Sequence, residues 1–121
     1  MRVAIVGSRT LLDMQYVRDA MQAARVDYGI VPTVVLCGDA PGIDRLGAKW
    51  AEETGIPVEH HPADWALHGQ RAGPLRNARM AHLCDAVVAI WDGSSPGTRD
   101  MVARSAKLGR RVVLWQISLA P

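Results

Sequence analysis

Ala86-Val87-Val88-Ala89-Ile90-Trp91-Asp92-Gly93-Ser94-Ser95-Pro96-Gly97-Thr98-Arg99-Asp100-Met101 carries the reading that decides the fold. Six apolar residues break into glycine, serine and proline, and apolar residues then resume at helical spacing. That is a buried strand passing through a tight turn into a helix. The first amides of a helix have no partner within it, and the helix dipole makes that end partly positive. Gly93 and Gly97 allow close backbone approach, and Ser94, Ser95 and Thr98 add hydroxyl donors. Such a turn suits an anion, most often a phosphate, although many α/β loops are glycine-rich for turn geometry alone.

The same grammar recurs on either side. Val3-Ala4-Ile5-Val6 reads as a buried strand ending at Gly7. Asp13 then caps a helix whose apolar face is Val17, Ala20, Met21 and Ala24, closing near Gly29. Thr33 to Cys37 is the second strand, and Ile43 to Thr54 a helix with Gly55 after it. Pro57 to His60 is a short third strand, followed by a long connection from His61 to Gly73. Pro74 opens a third helix running to about Leu83, with Met80 and Leu83 toward the sheet. After the fourth strand, a helix with Met101, Val102, Ser105 and Leu108 inward stops at Gly109, and Arg111 to Trp115 is a fifth strand.

Apolar strands alternating with helices mean a parallel sheet covered on both faces, a Rossmann-like three-layer α-β-α sandwich. Right-handed crossovers and the long third connection give the strand order 3-2-1-4-5. The topological switch then lies between strands one and four, where ligands bind beyond the strand ends. Every unusual loop falls on that edge.

The chain has 121 residues, 49% hydrophobic and 21% charged, which fits one domain over 1–121 with a real core. A net charge of +2 is too mild to call for nucleic acid and gives no reason for membrane binding. Cys37 and Cys84 lack a CxxC partner and read as reduced thiols of a cytoplasmic protein. The short apolar run after Arg2 is neither a signal peptide nor a membrane span. P-loop, G-x-G-x-x-G and G-x-S-x-G patterns are absent.

Within the switch-point loops, Gly7-Ser8-Arg9-Thr10 sets a hydroxyl and a guanidinium where a phosphate or carboxylate would lie. Gly38-Asp39-Ala40-Pro41-Gly42-Ile43-Asp44 is a second turn into a helix. Asp44 either caps that helix or accepts from a ribose hydroxyl. Arg76 shares the stripe of Met80 but overhangs the strand ends, so it points into the crevice, with Asn77 beside it. Arg79 is a solvated charge. Asp64, Trp65, His68 and Arg71 lie on the long connection, where Trp65 either stacks on a base or anchors the loop. His60, His61 and His68 lack a thiolate or second-shell pattern, and neither metal nor other cofactor is expected.

Read together, GSRT (7–10), CGDAPGIDRLGAKWA (37–51), PADWALHGQRAGPLRNARM (62–80) and DGSSPGTRDM (92–101) resemble the SMF/DprA–LOG (SLOG) superfamily. The likeness is closest to its small YspA-like, cpYpsA-related branch of bacteria and phages. It implies a domain binding nucleotides or nucleotide-derived small molecules, nucleoside monophosphates or ADP-ribose-like, as sensor, carrier or sponge. By motif position, Gly7, Ser8, Arg9, Gly38, Asp44, Arg76, Asn77, Gly93, Gly97 and Thr98 would line the site. Asp64, Trp65 and His68 would belong to a loop over it.

LOG-type phosphoribohydrolases in the superfamily share Arg76 and Met80, but their loop glutamate falls at Met101 here. Glycosidic cleavage needs a carboxylate, so hydrolysis would fall to Arg76 with Asp100, Asp92 or Asp44 as stand-in. DprA-type members bind single-stranded DNA, an alternative that the absence of a basic stripe disfavours. Superfamily relatives often form dimers or larger homo-oligomers. The apolar tail from Leu114 to Pro121 would supply such an interface or cover an edge strand.

Overall fold

The computed structural model describes residues 1–118. Five parallel strands form one sheet: β1 (Arg2–Gly7), β2 (Val34–Cys37), β3 (Val58–His60), β4 (Ala86–Trp91) and β5 (Arg111–Gln116). Their order is β3-β2-β1-β4-β5, with the switch between β1 and β4. Helices α1 (Met14–Tyr28) and α2 (Ile43–Thr54) cover one face; α4 (Ala72–Leu83) and α5 (Pro96–Lys107) cover the other. The short α3 (Trp65–His68) lies in the long connection.

Alternation along the strands divides the core. Val3, Ile5, Val88 and Ile90 pack against α1 and α2, while Ala4, Val6, Val87 and Ala89 meet Met80 of α4 and Met101 of α5. Each buried valine, isoleucine or methionine among these stabilises the fold by roughly 1.5–3 kcal/mol. Asp13 caps α1 by accepting the Gln15 amide at 2.9 Å, and Gly29 and Gly55 end α1 and α2 in left-handed conformation.

Three local expectations change. Leu83 is 40% exposed because α4 ends there, with Cys84 turning inward instead. Leu108 is also exposed, since it sits past the last turn of α5 as its C-cap. The connection from His61 is not a bare loop: Asp64 accepts the Leu67 amide at 3.0 Å and nucleates α3. A 3₁₀ turn, Gly69–Arg71, then runs straight into α4, which begins at Ala72 rather than Pro74.

At the edge, Leu114 of β5 is exposed while Trp115 packs on the core. The end of the apolar tail, Leu119, Ala120 and Pro121, lies outside the described residues. No helix among the described residues is long and apolar enough to cross a membrane.

Candidate functional site

The turn after β1 has no room for a side chain. A Cβ on Gly7 would strike the Ile90 carbonyl and stand 2.7 Å from the Ile43 side chain. The Ser8 amide donates to the Ile90 carbonyl at 3.0 Å, and its buried hydroxyl accepts the Asp92 amide at 3.0 Å. Ser8 therefore stitches the first and fourth turns together from behind. Arg9 and Thr10 project beyond it to the rim of a cleft of about 630 Å³, a volume within the range for small-molecule sites.

Asp92 changes the reading of the fourth turn. Its Oδ1 accepts the amides of Ser94 (2.9 Å) and Ser95 (3.1 Å) and the Ser94 hydroxyl (3.2 Å). These donors, the Ser94 amide foremost, hold the Asp92 carboxyl down at about 2. Two backbone amides of this turn, and the Ser94 hydroxyl expected to donate to an anion, are thus taken by the protein itself. The Gly97 and Thr98 amides have no partner among the described residues: Ser95 caps α5 without a side-chain bond, and Pro96 occupies the first helical position. Both residues line the cleft, and beyond its own helix turn and chain neighbours no atom of the described residues lies within 4 Å of where a Gly97 Cβ would stand.

Arg76 rises from the first turns of α4, only 9% exposed. Its Nη1 donates to the Gly38 carbonyl, and its Nε donates to Asn77 Oδ1 at 3.0 Å. Asn77 Nδ2 donates in turn to the Gly97 carbonyl (3.2 Å) and Asp100 Oδ2 (3.0 Å). Asp100 also accepts from Arg104 at 3.0 Å. This hydrogen-bonded string fixes the guanidinium at the cleft wall and leaves Asp100 at the cleft edge with its charge partly answered.

Asp44 lies beside Arg76, 5% exposed, and accepts the Ala40 amide at 3.3 Å. Gly42, not Asp44, is the N-cap of α2. Burial raises the Asp44 carboxyl to about 6, against the opposing pull of Arg76 and the Ala40 and Gly7 amides. Glycine at 38 lets the Arg76 guanidinium lie against the strand end: a Cβ there would displace it and stand 2.8 Å from Asp44 Oδ2.

The expected residues do not all gather. Gly7, Arg9, Thr10, Asp44, Trp65, Arg76, Asn77, Ser94, Ser95, Gly97, Thr98 and Asp100 line the main cleft. Gly38 and Asp39 line an adjoining cleft of about 260 Å³, which shares Arg9, Ala40, Trp65 and Arg76 with the first. Ser8 braces the walls from outside, and Gly93, Asp64 and His68 line neither cleft. Trp65 is half-exposed at the rim, and a Gly73 Cβ would stand 3.2 Å from its ring. Anchor and platform are therefore compatible roles for it.

Sequence reasoning missed the apolar floor, where Val6, Met80 and Met101 meet Pro74 and Pro96. The two methionines read as core, and nothing in their spacing marks the end of the core as the floor of a cleft. The histidines do not cluster with one another: His61 pairs with Glu59 at 2.7 Å, and His68 is exposed. His60 instead meets Cys37 and Asp39, a group of metal-ligand type among the described residues.

A family model described as the YspA, cpYpsA-related SLOG family matches residues 1–68. The Gene 61 protein of Mycobacterium phage D29 is 38% identical over 120 residues, covering 93% of this chain and 94% of that protein. Among solved structures, DNA processing protein A (DprA) from Streptococcus pneumoniae is similar with a TM-score of 0.68 and 20% identity. That likeness covers 92% of this chain and 48% of the other, so the chain spans about half the length of that structure, and the likeness is one of fold.

Proposed function

The chain belongs to the YspA, cpYpsA-related SLOG family, and from that premise we propose that its main cleft captures a nucleotide or nucleotide-derived small molecule. The observation that carries this reading is the meeting, in one cleft, of the Arg76 guanidinium and the unpaired Gly97 and Thr98 amides. A phosphate is the group that answers both, by a charge-assisted bond on one side and a helix terminus on the other. Trp65 at the rim offers a ring face for a base or ribose. A nucleoside monophosphate or an ADP-ribose-like molecule fits these demands, held by a sensor, carrier or sponge.

Asp44 supports a second reading, hydrolysis of the N-glycosidic or phosphoester bond of the same ligand. A carboxyl near 6 beside a guanidinium exchanges its proton close to neutral pH, as a general acid or base requires. Likeness of fold to DNA processing protein A leaves single-stranded DNA as a further ligand to include in the test.

Calorimetric titration of the chain with nucleoside monophosphates, ADP-ribose and a short oligonucleotide, followed by chromatography of each mixture, separates the three. Capture predicts a stabilising nucleotide recovered intact; hydrolysis predicts free base or phosphate; DNA binding predicts affinity falling steeply with salt. Arg76→Ala is expected to weaken nucleotide binding tenfold or more, since a charge-assisted pair contributes roughly 1.5–3 kcal/mol. Unchanged affinity in that variant, in a folded protein, rejects the site.

A further inference from the structure

Three side chains outside the main cleft converge where β2 and β3 end. Cys37 and His60 are register partners across the parallel pair, so thiol and imidazole leave adjacent strands side by side. Asp39 follows at φ 60°, the one positive-φ residue other than glycine among the described residues, which aspartate tolerates better than most. Cys37 Sγ lies 3.4 Å from Asp39 Oδ1 and 3.5 Å from His60 Nδ1, and Nδ1 lies 2.7 Å from Oδ1.

We propose that Cys37, Asp39 and His60 bind one zinc-class divalent cation. Zinc–sulfur bonds of about 2.3 Å and zinc–nitrogen or zinc–oxygen bonds of about 2.0–2.1 Å, at tetrahedral angles, set sulfur about 3.5 Å from either partner and nitrogen about 3.3 Å from oxygen. Two edges of the triangle already have those lengths. The third is shorter because Nδ1 donates a hydrogen bond to Oδ1; the cation replaces that proton, and the edge opens to the ligand spacing. Thiolate with imidazole and carboxylate is a donor set for zinc, not for magnesium or calcium.

Burial foremost, then the Asp39 and Asp44 carboxylates, push the Cys37 thiol up to about 12, so without a cation it keeps its proton. Binding forms the sulfur–metal bond and breaks the S–H bond, releasing that proton to solvent; the imidazole shifts to its Nε2–H form, the Nδ1 proton leaving to solvent as one is taken up at Nε2, so that the Nδ1 lone pair meets the cation. Asp39 also lines the smaller cleft. Three protein ligands leave a fourth position for water or for an anionic group reaching in from that side.

The test uses the full chain stripped with a chelator and titrated with cobalt(II) alone, then with zinc(II). One equivalent per chain with a sulfur-to-cobalt charge-transfer band, displaced by zinc, is the expected result. His60→Ala removes a half-exposed side chain from an edge strand, a change the fold should tolerate. It is expected to weaken cobalt binding at least tenfold, and Cys37→Ser to abolish the band. Cys84→Ser, whose thiol faces the Ala81 carbonyl, should leave both intact. Absence of a band, a band that survives Cys37→Ser, or unchanged affinity in folded His60→Ala overturns the site. None of these readouts depends on what the main cleft binds.

Discussion

At Asp44, stability and the chemistry proposed for the cleft pull apart. Burial raises its carboxyl from the ordinary 3.8 to about 6. Between those values the folded chain holds a proton that the unfolded chain has lost. Its contribution therefore favours the fold at low pH and is lost as pH rises through 6. Asp44→Asn should raise stability at pH 8 by up to about 3 kcal/mol, two pKa units at about 1.4 kcal/mol each, and by much less at pH 4. Urea denaturation of both proteins at the two pH values measures it; an advantage that grows on acidification would contradict the buried-carboxylate picture. Gly97 shows the same opposition in steric form. With open space at its Cβ position and a helical backbone, Gly97→Ala should stabilise the fold by roughly 0.4–1 kcal/mol. The added methyl stands where the proposed phosphate would approach, so calorimetry should show weaker nucleotide binding despite a higher melting temperature. At this scale sequence reading reached Arg76, Asn77 and the α5 terminus, because helical periodicity aims them. It could not see Asp92 fold back onto Ser94 and Ser95, which depends on the actual turn.

Elements with clear punctuation were legible almost to the residue. Asp13 and Gly29 bracket α1, and Gly55 ends α2, because capping chemistry is local. α3 escaped because four residues show no periodicity; its one signal was Asp64 three places before Leu67. α4 reached two residues beyond its expected start because the 3₁₀ turn feeds into it, and Pro74 needs only some position in the first turn. α5 carries an unexpected cost. Ser105 is fully buried, and its hydroxyl has no hydrogen-bond partner among the described residues. Ser105→Ala should therefore stabilise the protein by roughly 1 kcal/mol, combining the relief of an unpaired polar group with the better helix former. A thermal melt shifted downward would mean the hydroxyl has a partner after all.

For the whole molecule, strand order followed from one long connection and the handedness of crossovers, so the switch point could be located before any coordinates. Convergence of the loops followed from that order, and Arg9 and Arg76 do face one cleft. What the chain could not disclose is what lies between loops: the apolar floor, and the meeting of Cys37 with His60, which are partners only through strand register. The string from the Gly38 carbonyl through Arg76, Asn77 and Asp100 to Arg104 ties the end of β2 to α4 and α5. A guest that draws Arg76 away from Gly38 must renegotiate every later bond in that series. Amide deuterium uptake should therefore change with occupancy along α5 as well as at the cleft, and unaltered uptake near Arg104 would mean the string does not transmit. Where uptake does change there, the solvent-facing end of that series serves as a semaphore, legible from outside to anything able to sense whether the interior is filled.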